Sequence, residues 1–135
     1  MKIIVCLDDN GGMLFNKRRQ SKDSDLRKRV LEITNGARLI MNSYSKNQFE
    51  EYGANITVDD NLLENAKTGD YCFIENLSVK DYEPRIEEIV VYKWNRIYPA
   101  DFKFDILLEN EWKLKNTYEF KGNSHETITE EVYTR

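Results

Sequence analysis

The sequence predicts an α/β fold with a mixed, mostly parallel sheet, flanking helices and an antiparallel C-terminal hairpin. Short apolar runs alternate with polar helical segments as far as about residue 75, an order that favours parallel strands joined by right-handed crossovers. Residues 86–94 then form a strongly apolar strand around Ile89-Val90-Val91-Tyr92. Finally, residues 111–120 and 126–134 alternate polar and apolar side chains around Gly122-Asn123-Ser124, which suits a hairpin turn.

The composition fits one globular domain over residues 1–135. Hydrophobic residues make up 40% of the 135 positions and aromatic residues 12%, so the chain can bury a core and is not disordered. The first apolar run, residues 3–7, is far too short to cross a membrane, and no secretory cleavage pattern follows it. We therefore expect a cytoplasmic protein with no membrane partner.

Cysteine and histidine are too few for a zinc site. Cys6 and Cys72 lie in predicted strands without a Cys-x-x-Cys pair, so we expect buried, inert thiols. His125, the single histidine, falls at the hairpin turn, where we expect a hydrogen-bonded surface residue rather than part of a Ser/His/Asp triad or a metallo-hydrolase. We predict no metal site and interpret Asp8-Asp9 as turn capping, with divalent-metal binding as the lesser alternative.

Each element of the first half has a local cause. Lys2 to Leu7 is a buried strand that ends at the turn cluster of residues 8–12. Met13 to Phe15 is predicted as an apolar patch within a loop. A helix begins near Ser24, with Asp23 or Ser24 as its N-cap, and runs to about Asn35 before Gly36, with its arginines and lysine facing solvent. The predicted alternation continues with strands at 38–41, 55–58 and 71–74 and short helices at 43–49 and 61–66.

This order of elements resembles dihydrofolate reductase over nearly the whole chain. In that family a first strand leads through a glycine-containing active-site loop into a helix with an acidic residue near its start, and Asp25-Leu26 has a similar place here. Leu39-Ile40-Met41 matches the second strand. The last strands of the family are matched by Ile89 to Tyr92, Phe104, Trp112 and the terminal hairpin. The resemblance implies an NADPH cofactor and the reduction of a pterin-like small molecule.

The sequence departs from the family where the cofactor would bind. A Gly-Arg turn that receives the cofactor phosphate is replaced by Asn42-Ser43-Tyr44-Ser45, and two or three glycines after the fourth strand are replaced by Ile74-Glu75-Asn76-Leu77. A carboxylate at that point would repel a pyrophosphate, so we expect no cofactor bound in the family's manner. NADPH held by other contacts is the alternative. The candidate residues of this groove are Lys17, Arg18, Arg19, Asn42, Ser43, Glu75 and Asn76.

Asp25 is the candidate catalytic residue. In a pocket, a partly desolvated carboxylate with a raised pKa could hydrogen-bond the amino and ring nitrogen groups of a heterocycle. The alternative is a solvated aspartate in the first turn of the helix, stabilised by the helix dipole. The basic residues around Asp25 would lower its pKa, which argues against a proton donor.

A basic stretch stands out in a chain whose net charge is −4, because residues 16–29 contain seven basic and two acidic residues. Such an edge could contact an anionic ligand, RNA or DNA, although a solvated loop and helix face is the alternative. No aromatic residue interrupts the stretch to stack on bases. A nucleic-acid contact would use Lys17, Arg18, Arg19, Arg27, Lys28 and Arg29.

Three functional hypotheses follow from these patterns. A divergent family member that has lost nicotinamide chemistry and binds a ligand or a protein should have its groove filled by side chains such as Phe15, Tyr44 or Phe49. An active NAD(P)H-dependent reductase should have a deep pocket between Asp25 and the strand ends. A nucleic-acid-binding or nuclease-type protein should gather its cations on one surface, namely Lys17, Arg18, Arg19 and Lys28.

Overall fold

Strands and helices alternate through the first half of the chain in a computed structural model that describes residues 1–52 and 55–135. The strands are β1 (Lys2–Leu7), β2 (Gly12–Phe15), β3 (Arg18–Arg19), β4 (Leu39–Met41), β5 (Ile56–Val58), β6 (Tyr71–Phe73), β7 (Glu88–Lys93), β8 (Phe102–Lys103), β9 (Lys113–Phe120) and β10 (Ile128–Thr134). The α-helices are α1 (Ser24–Ile33), α2 (Ser43–Lys46) and α3 (Leu62–Asn65), and 3₁₀ helices lie at Asn47–Tyr52 (η1) and Lys80–Arg85 (η2).

The main sheet has seven strands in the order β5-β4-β6-β1-β7-β10-β9. Neighbouring strands from β5 to β7 run parallel, whereas β10 is antiparallel to both β7 and β9. Ile3 of β1 lies between Cys72 and Ile89, so β1 is a central strand, as its continuous apolar sequence predicts. The predicted fold class, a mixed and mostly parallel sheet with flanking helices and a C-terminal antiparallel hairpin, is confirmed.

The central strand sends alternate side chains into two hydrophobic clusters on opposite faces of the sheet. Ile3 and Val5 join the cluster that includes the buried residues of α3. Ile4 joins the cluster that contains Leu26 and Val30 of α1, both at most 1% exposed. Burial of side chains of this size stabilises the fold by about 1.5–3 kcal/mol each, which fixes α1 against the sheet.

α1 begins where the sequence predicts and ends earlier. Asp23 is the N-cap and accepts hydrogen bonds from the backbone nitrogens of Asp25 and Leu26. The helix ends at Ile33 rather than near Asn35, and Gly36 follows in the left-handed region at φ +86°. The prediction that every arginine of this helix faces solvent is wrong for Arg27, which is 7% exposed.

A second sheet, β3-β2-β8, was not predicted. Met13 to Phe15 is not a loop, because Leu14 and Phe15 pair with Arg19 and Arg18 in an antiparallel hairpin. Its two-residue turn, Asn16-Lys17, has φ values of 52° and 63°, as in a type I′ turn. The familiar Asn-Gly signal is missing, so this hairpin has no strong sequence signature. It determines where Arg18 and Arg19 lie.

The two cysteines lie in neighbouring strands but are not partners. Ile3 is opposite Cys72, whereas Cys6 is opposite Tyr92 on the other side of β1. Burial raises the pKa of Cys72 to about 12 and raises that of Cys6 well above its ordinary value. Both groups are therefore protonated, unreactive thiols at neutral pH.

Candidate functional site

The candidate groove lies at the carboxyl ends of the parallel strands. β4 is followed by Asn42 and Ser43, and β6 is followed after one residue by Glu75 and Asn76. The side-chain nitrogen Nδ2 of Asn42 donates to Oδ1 of Asn76 at 2.8 Å, so the two strand ends are joined directly. Parallel strands place their carboxyl ends along one edge, which is why residues distant in sequence meet there.

An ion pair closes this edge. Arg19 of β3 donates from Nε and Nη2 to the two carboxylate oxygens of Glu75, at 2.9 and 3.1 Å. Its guanidinium lies 4.5 Å from the centre of the Tyr44 ring and also donates to the Tyr44 carbonyl at 3.2 Å, while the Tyr44 hydroxyl accepts from the Arg19 backbone nitrogen at 2.8 Å. Burial alone would lower the pKa of Arg19, but the hydrogen bonds and charge of Glu75 raise it. β3 is thus fastened to both α2 and the end of β6.

The space beneath this ion pair is almost filled. The cavity has a volume of about 10 Å³, which is room for roughly one water molecule. Pockets that hold a small organic ligand measure about 300–1,000 Å³. Its lining residues are Cys6, Met13, Arg19, Gln20, Ser21, Leu26, Gln48, Ile74, Glu75 and Trp94.

The side chains that fill the groove differ from those predicted for a binding module. Of the three predicted side chains, Tyr44 contributes, because its ring and its hydroxyl both contact Arg19. Phe49 lies instead in the core, with its ring edge-on to Phe73 at 5.2 Å. Phe15 is 50% exposed and lies outside the closed cavity.

At the turn between β4 and α2, the donors of Ser43 and Ser45 are already in use. Asp60 accepts from the backbone nitrogen of Ser43 at 2.8 Å and from its hydroxyl at 3.0 Å. Asn42, the N-cap of α2, accepts from the backbone nitrogen of Ser45 at 3.0 Å. A carboxylate therefore holds both donors that Ser43 would offer to a phosphate.

The residues present do not fit NADPH held in the manner of dihydrofolate reductase. Glu75 puts a buried carboxylate where the backbone would have to approach the pyrophosphate, and the exposed Asp60 puts another carboxylate at the phosphate-binding turn. The cavity that Glu75 lines is too small for a nicotinamide ring.

Asp25 lies in the first turn of α1 and is half-buried. It does not line the closed cavity, whereas its neighbour Leu26 does. Its assignment as a substrate-orienting carboxylate stays a prediction.

Sequence analysis missed the most heavily bonded carboxylate of this region, that of Asp23. Besides capping α1, Asp23 accepts from the backbone nitrogens of Asn123 and Ser124 at 3.1 and 2.7 Å and from the Ser124 hydroxyl at 2.9 Å. Burial alone would raise the pKa of Asp23, but these hydrogen bonds lower it to about 2. The signal in the sequence was only an N-cap aspartate, which gives no hint of the distant hairpin turn.

His125 extends this network and is not the surface residue that was expected. It is 5% exposed, stacks on Trp94 with ring centres 4.5 Å apart, and pairs through Nε2 with the Tyr98 hydroxyl at 2.8 Å. Its Nδ1 lies 2.9 Å from the Ser124 hydroxyl. Ser124 donates to Asp23 at 2.9 Å, and Nδ1 of His125 lies farther from the same carboxylate, at 3.6 Å, so the serine lies between the imidazole and the acid. This order differs from a catalytic triad, and the cluster joins the β9–β10 turn to α1.

The basic stretch is divided between structural and exposed positions. Arg19 is paired with Glu75, and Arg29 donates from Nε and Nη2 to Glu130 at 2.9 and 3.0 Å. Arg27 is buried. The exposed members of the predicted nucleic-acid contact are Lys17, Arg18 and Lys28.

The described residues contain no group of three or more His, Cys, Asp or Glu side chains placed to hold a metal ion. Asp8 caps the turn after β1, where its carboxylate accepts from the backbone nitrogens of Asn10 and Gly12 at 2.8 Å. None of the helices in the described part of the chain has the length and apolar character needed to cross a bilayer.

Comparison with known proteins identifies the fold. No protein-family model and no curated protein matches the sequence. A solved structure matches the fold: it is a dihydrofolate reductase from Enterococcus faecalis complexed with NADP(H) and RAB-propyl, and the TM-score is 0.70. The alignment covers 99% of this chain and 95% of that one at 14% sequence identity. This chain therefore has the dihydrofolate reductase fold in a strongly divergent sequence.

Proposed function

We propose that this protein has lost NADPH-dependent reductase activity and acts as a binding module for a small molecule or a protein. The observation that carries the proposal is the Arg19–Glu75 ion pair, which closes the carboxyl ends of the strands over a cavity of about 10 Å³. A partly buried, bidentate pair of this kind is costly to separate, because either partner alone would be a partly desolvated charge. A cofactor entering this groove would have to separate it.

The bonds of Asp60 to Ser43 support the same proposal independently. A phosphate at this turn would have to replace a carboxylate that already accepts two hydrogen bonds, and would meet the repulsion of its charge. The proposal keeps the cytoplasmic location expected from the sequence.

An active reductase is the alternative, and the similarity in fold favours it, because the matched enzyme is complexed with NADP(H). In that case Asp25 would orient the substrate. A turnover assay with NADPH and dihydrofolate tests this alternative, with Asp25→Asn compared against Asp81→Asn, an exposed aspartate of η2. We expect no turnover in any of the three proteins. Turnover that Asp25→Asn alone abolishes would overturn the proposal.

Nucleic-acid binding through residues 17–29 is the third hypothesis, and it now depends on the exposed cations Lys17, Arg18 and Lys28. Pairing of Arg19 and Arg29 with carboxylates leaves fewer charges for phosphates. Such binding would weaken steeply as salt rises, because each phosphate contact releases counterions.

A further inference from the structure

A second, open groove of about 300 Å³ lies next to the closed cavity, and Arg19 and Gln20 line both. It is formed by the β2–β3 hairpin and by the segment between β7 and β8. The other lining residues are Phe15, Asn16, Arg18, Tyr98 and Pro99.

The groove offers aromatic and apolar surface. Phe15 is 50% exposed, which is unusual for a phenylalanine in a strand, and Pro99 is exposed as well. Tyr98 is half-buried, and its hydroxyl is held by His125 at 2.8 Å, so its ring is fixed in place. Surfaces of this kind bind planar rings by stacking, with no strong preference for one ring over another.

The Gln20 side chain lines both the groove and the closed cavity. Its Nε2 donates to Asp8 at 2.9 Å, which fixes the orientation of its amide. Its Oε1 has no hydrogen-bond partner among the described residues and is shielded from solvent, so a ligand in the open groove does not reach it. The affinity of the groove therefore depends on stacking and on charge.

Two exposed cations lie at the groove. Arg18 forms no ion pair with any described residue, unlike Arg19, whose charge is matched by Glu75. Lys17 is exposed beside it at the tip of the hairpin. The carboxylates of Asp101 and Asp8 also lie near the groove, where they accept from the Asn16 backbone nitrogen at 3.0 Å and from Gln20 Nε2 at 2.9 Å. Because the cations are exposed and the Asp8 carboxylate is buried, an anionic ligand would contact the cations first.

We propose that this groove binds a nucleoside monophosphate, either free or as a unit of a single-stranded nucleic acid. The base stacks on Phe15 and Tyr98, and its phosphate is held by Arg18. The volume suits one nucleotide and is too small for a dinucleotide. The inference rests on the proposed role as a binding module, and it names the ligand of that module.

Isothermal titration with AMP, adenosine and inorganic phosphate tests the proposal. We expect saturable binding of AMP, with adenosine and inorganic phosphate each weaker by about tenfold or more, because each lacks one of the two contacts. Arg18→Ala and Phe15→Ala should each weaken AMP binding by roughly tenfold. Lys115→Ala removes an exposed cation of β9 outside the groove and should leave the affinity within about twofold.

Absence of saturable AMP binding at millimolar concentration, or equal affinity in the wild type and both groove variants, would overturn the proposal. If Phe15→Ala fails to fold, Phe15→Leu takes its place, since it keeps the apolar strand position and removes the aromatic face. Backbone amide shifts confined to residues 15–20 and 97–100 on AMP addition would support the location, and shifts elsewhere would contradict it.

A short oligoadenylate distinguishes the two sources of the ligand. Equal affinity for AMP and the oligomer indicates a free nucleotide, whereas tighter and steeply salt-dependent binding of the oligomer indicates a single strand. Oligomer binding that survives Arg18→Ala and Phe15→Ala would contradict the assigned groove. A change in reduced-nicotinamide fluorescence with NADPH would instead contradict the proposed function, because AMP carries no nicotinamide ring.

Discussion

Asp23 connects two parts of the chain that are far apart in sequence. One carboxylate caps α1 and also accepts three hydrogen bonds from the turn that joins β9 to β10. Its neighbour in the network, His125, is held neutral: burial lowers its pKa, and the charge of Asp23 only partly opposes this. These two groups make the stability of the protein depend on pH in a definite direction.

We expect the free energy of unfolding to decrease as the pH falls below 6.5, the ordinary pKa of histidine, because the unfolded chain then binds a proton that folded His125 resists. A second loss, of about 2 kcal/mol, should follow between pH 3.8 and about 2 as Asp23 is protonated. Urea unfolding across this pH range measures both losses.

His125→Phe is the control for the first loss, since a phenyl ring can still stack on Trp94 but cannot titrate. His125 is the single histidine, so no other side chain has an ordinary pKa near 6.5. The decrease just below pH 6.5 should disappear in the variant. If the free energy of unfolding decreased below pH 6.5 in the variant as well, a group other than His125 would be responsible.

The ion pair of Arg19 and Glu75 should contribute strongly to stability. Glu75→Gln leaves the guanidinium without its charged partner, and we expect a loss of about 2 kcal/mol. Fully buried pairs lose roughly 3–5 kcal/mol, and the value here is reduced because the Arg19 side chain keeps 22% exposure. Chemical denaturation measures the loss.

Lys80→Met is the matched control, because it breaks the Lys80–Glu83 pair, in which the lysine is 57% exposed. Its expected cost is at most about 1 kcal/mol. Equal losses in the two variants would mean that the Arg19–Glu75 pair is no stronger than a surface contact.

Neither of these residue clusters could be found from the sequence. Arg19 and Glu75 are 56 positions apart, and Glu75 was predicted to repel a phosphate rather than to bind an arginine. Asp60 and Ser43 are 17 positions apart in different elements. The strand ends that carry Asn42, Ser43, Glu75 and Asn76 were predicted to meet, because parallel topology requires it, but their partners depend on side-chain geometry.

At the scale of elements, the β2–β3 hairpin is the feature that distinguishes this molecule. It places Arg19 over the closed cavity and Arg18 at the open groove. Its turn holds Lys17 at φ 63°, a backbone conformation that is unfavourable for a residue with a Cβ atom.

Lys17→Gly should therefore stabilise the protein by about 1 kcal/mol, since glycine adopts this conformation without strain. Lys17→Ala removes the same charge and keeps the Cβ atom, so it should give no such gain. Thermal and urea unfolding of the three proteins measure the difference. A gain in both variants would indicate relief of charge repulsion instead of backbone strain.

The strands of the main sheet were predicted and those of the small sheet were not. β1 and the β9–β10 hairpin follow from continuous apolar sequence and from alternation around a turn, and the three-residue strands β4, β5 and β6 follow from their alternation with helical segments. β2, β3 and β8 have two to four residues each and owe their structure to pairing with one another. Their own sequences do not separate a strand from an apolar loop.

At the scale of the whole molecule, this chain shares its fold with a solved structure at 14% sequence identity, because many apolar sequences satisfy the same packing. The ends of its own parallel strands hold the Arg19–Glu75 ion pair and the Asp60 carboxylate. Fold alone therefore does not determine function here.

A titration with NADPH, followed by the fluorescence of its reduced nicotinamide ring, tests the central claim most directly. The signal reports the ring itself, so binding of the adenosine half in the open groove would not be mistaken for it. We predict no saturable change at millimolar NADPH, because the Arg19–Glu75 pair leaves no room for the ring. A saturable change would mean that the groove opens and that a nicotinamide site survives.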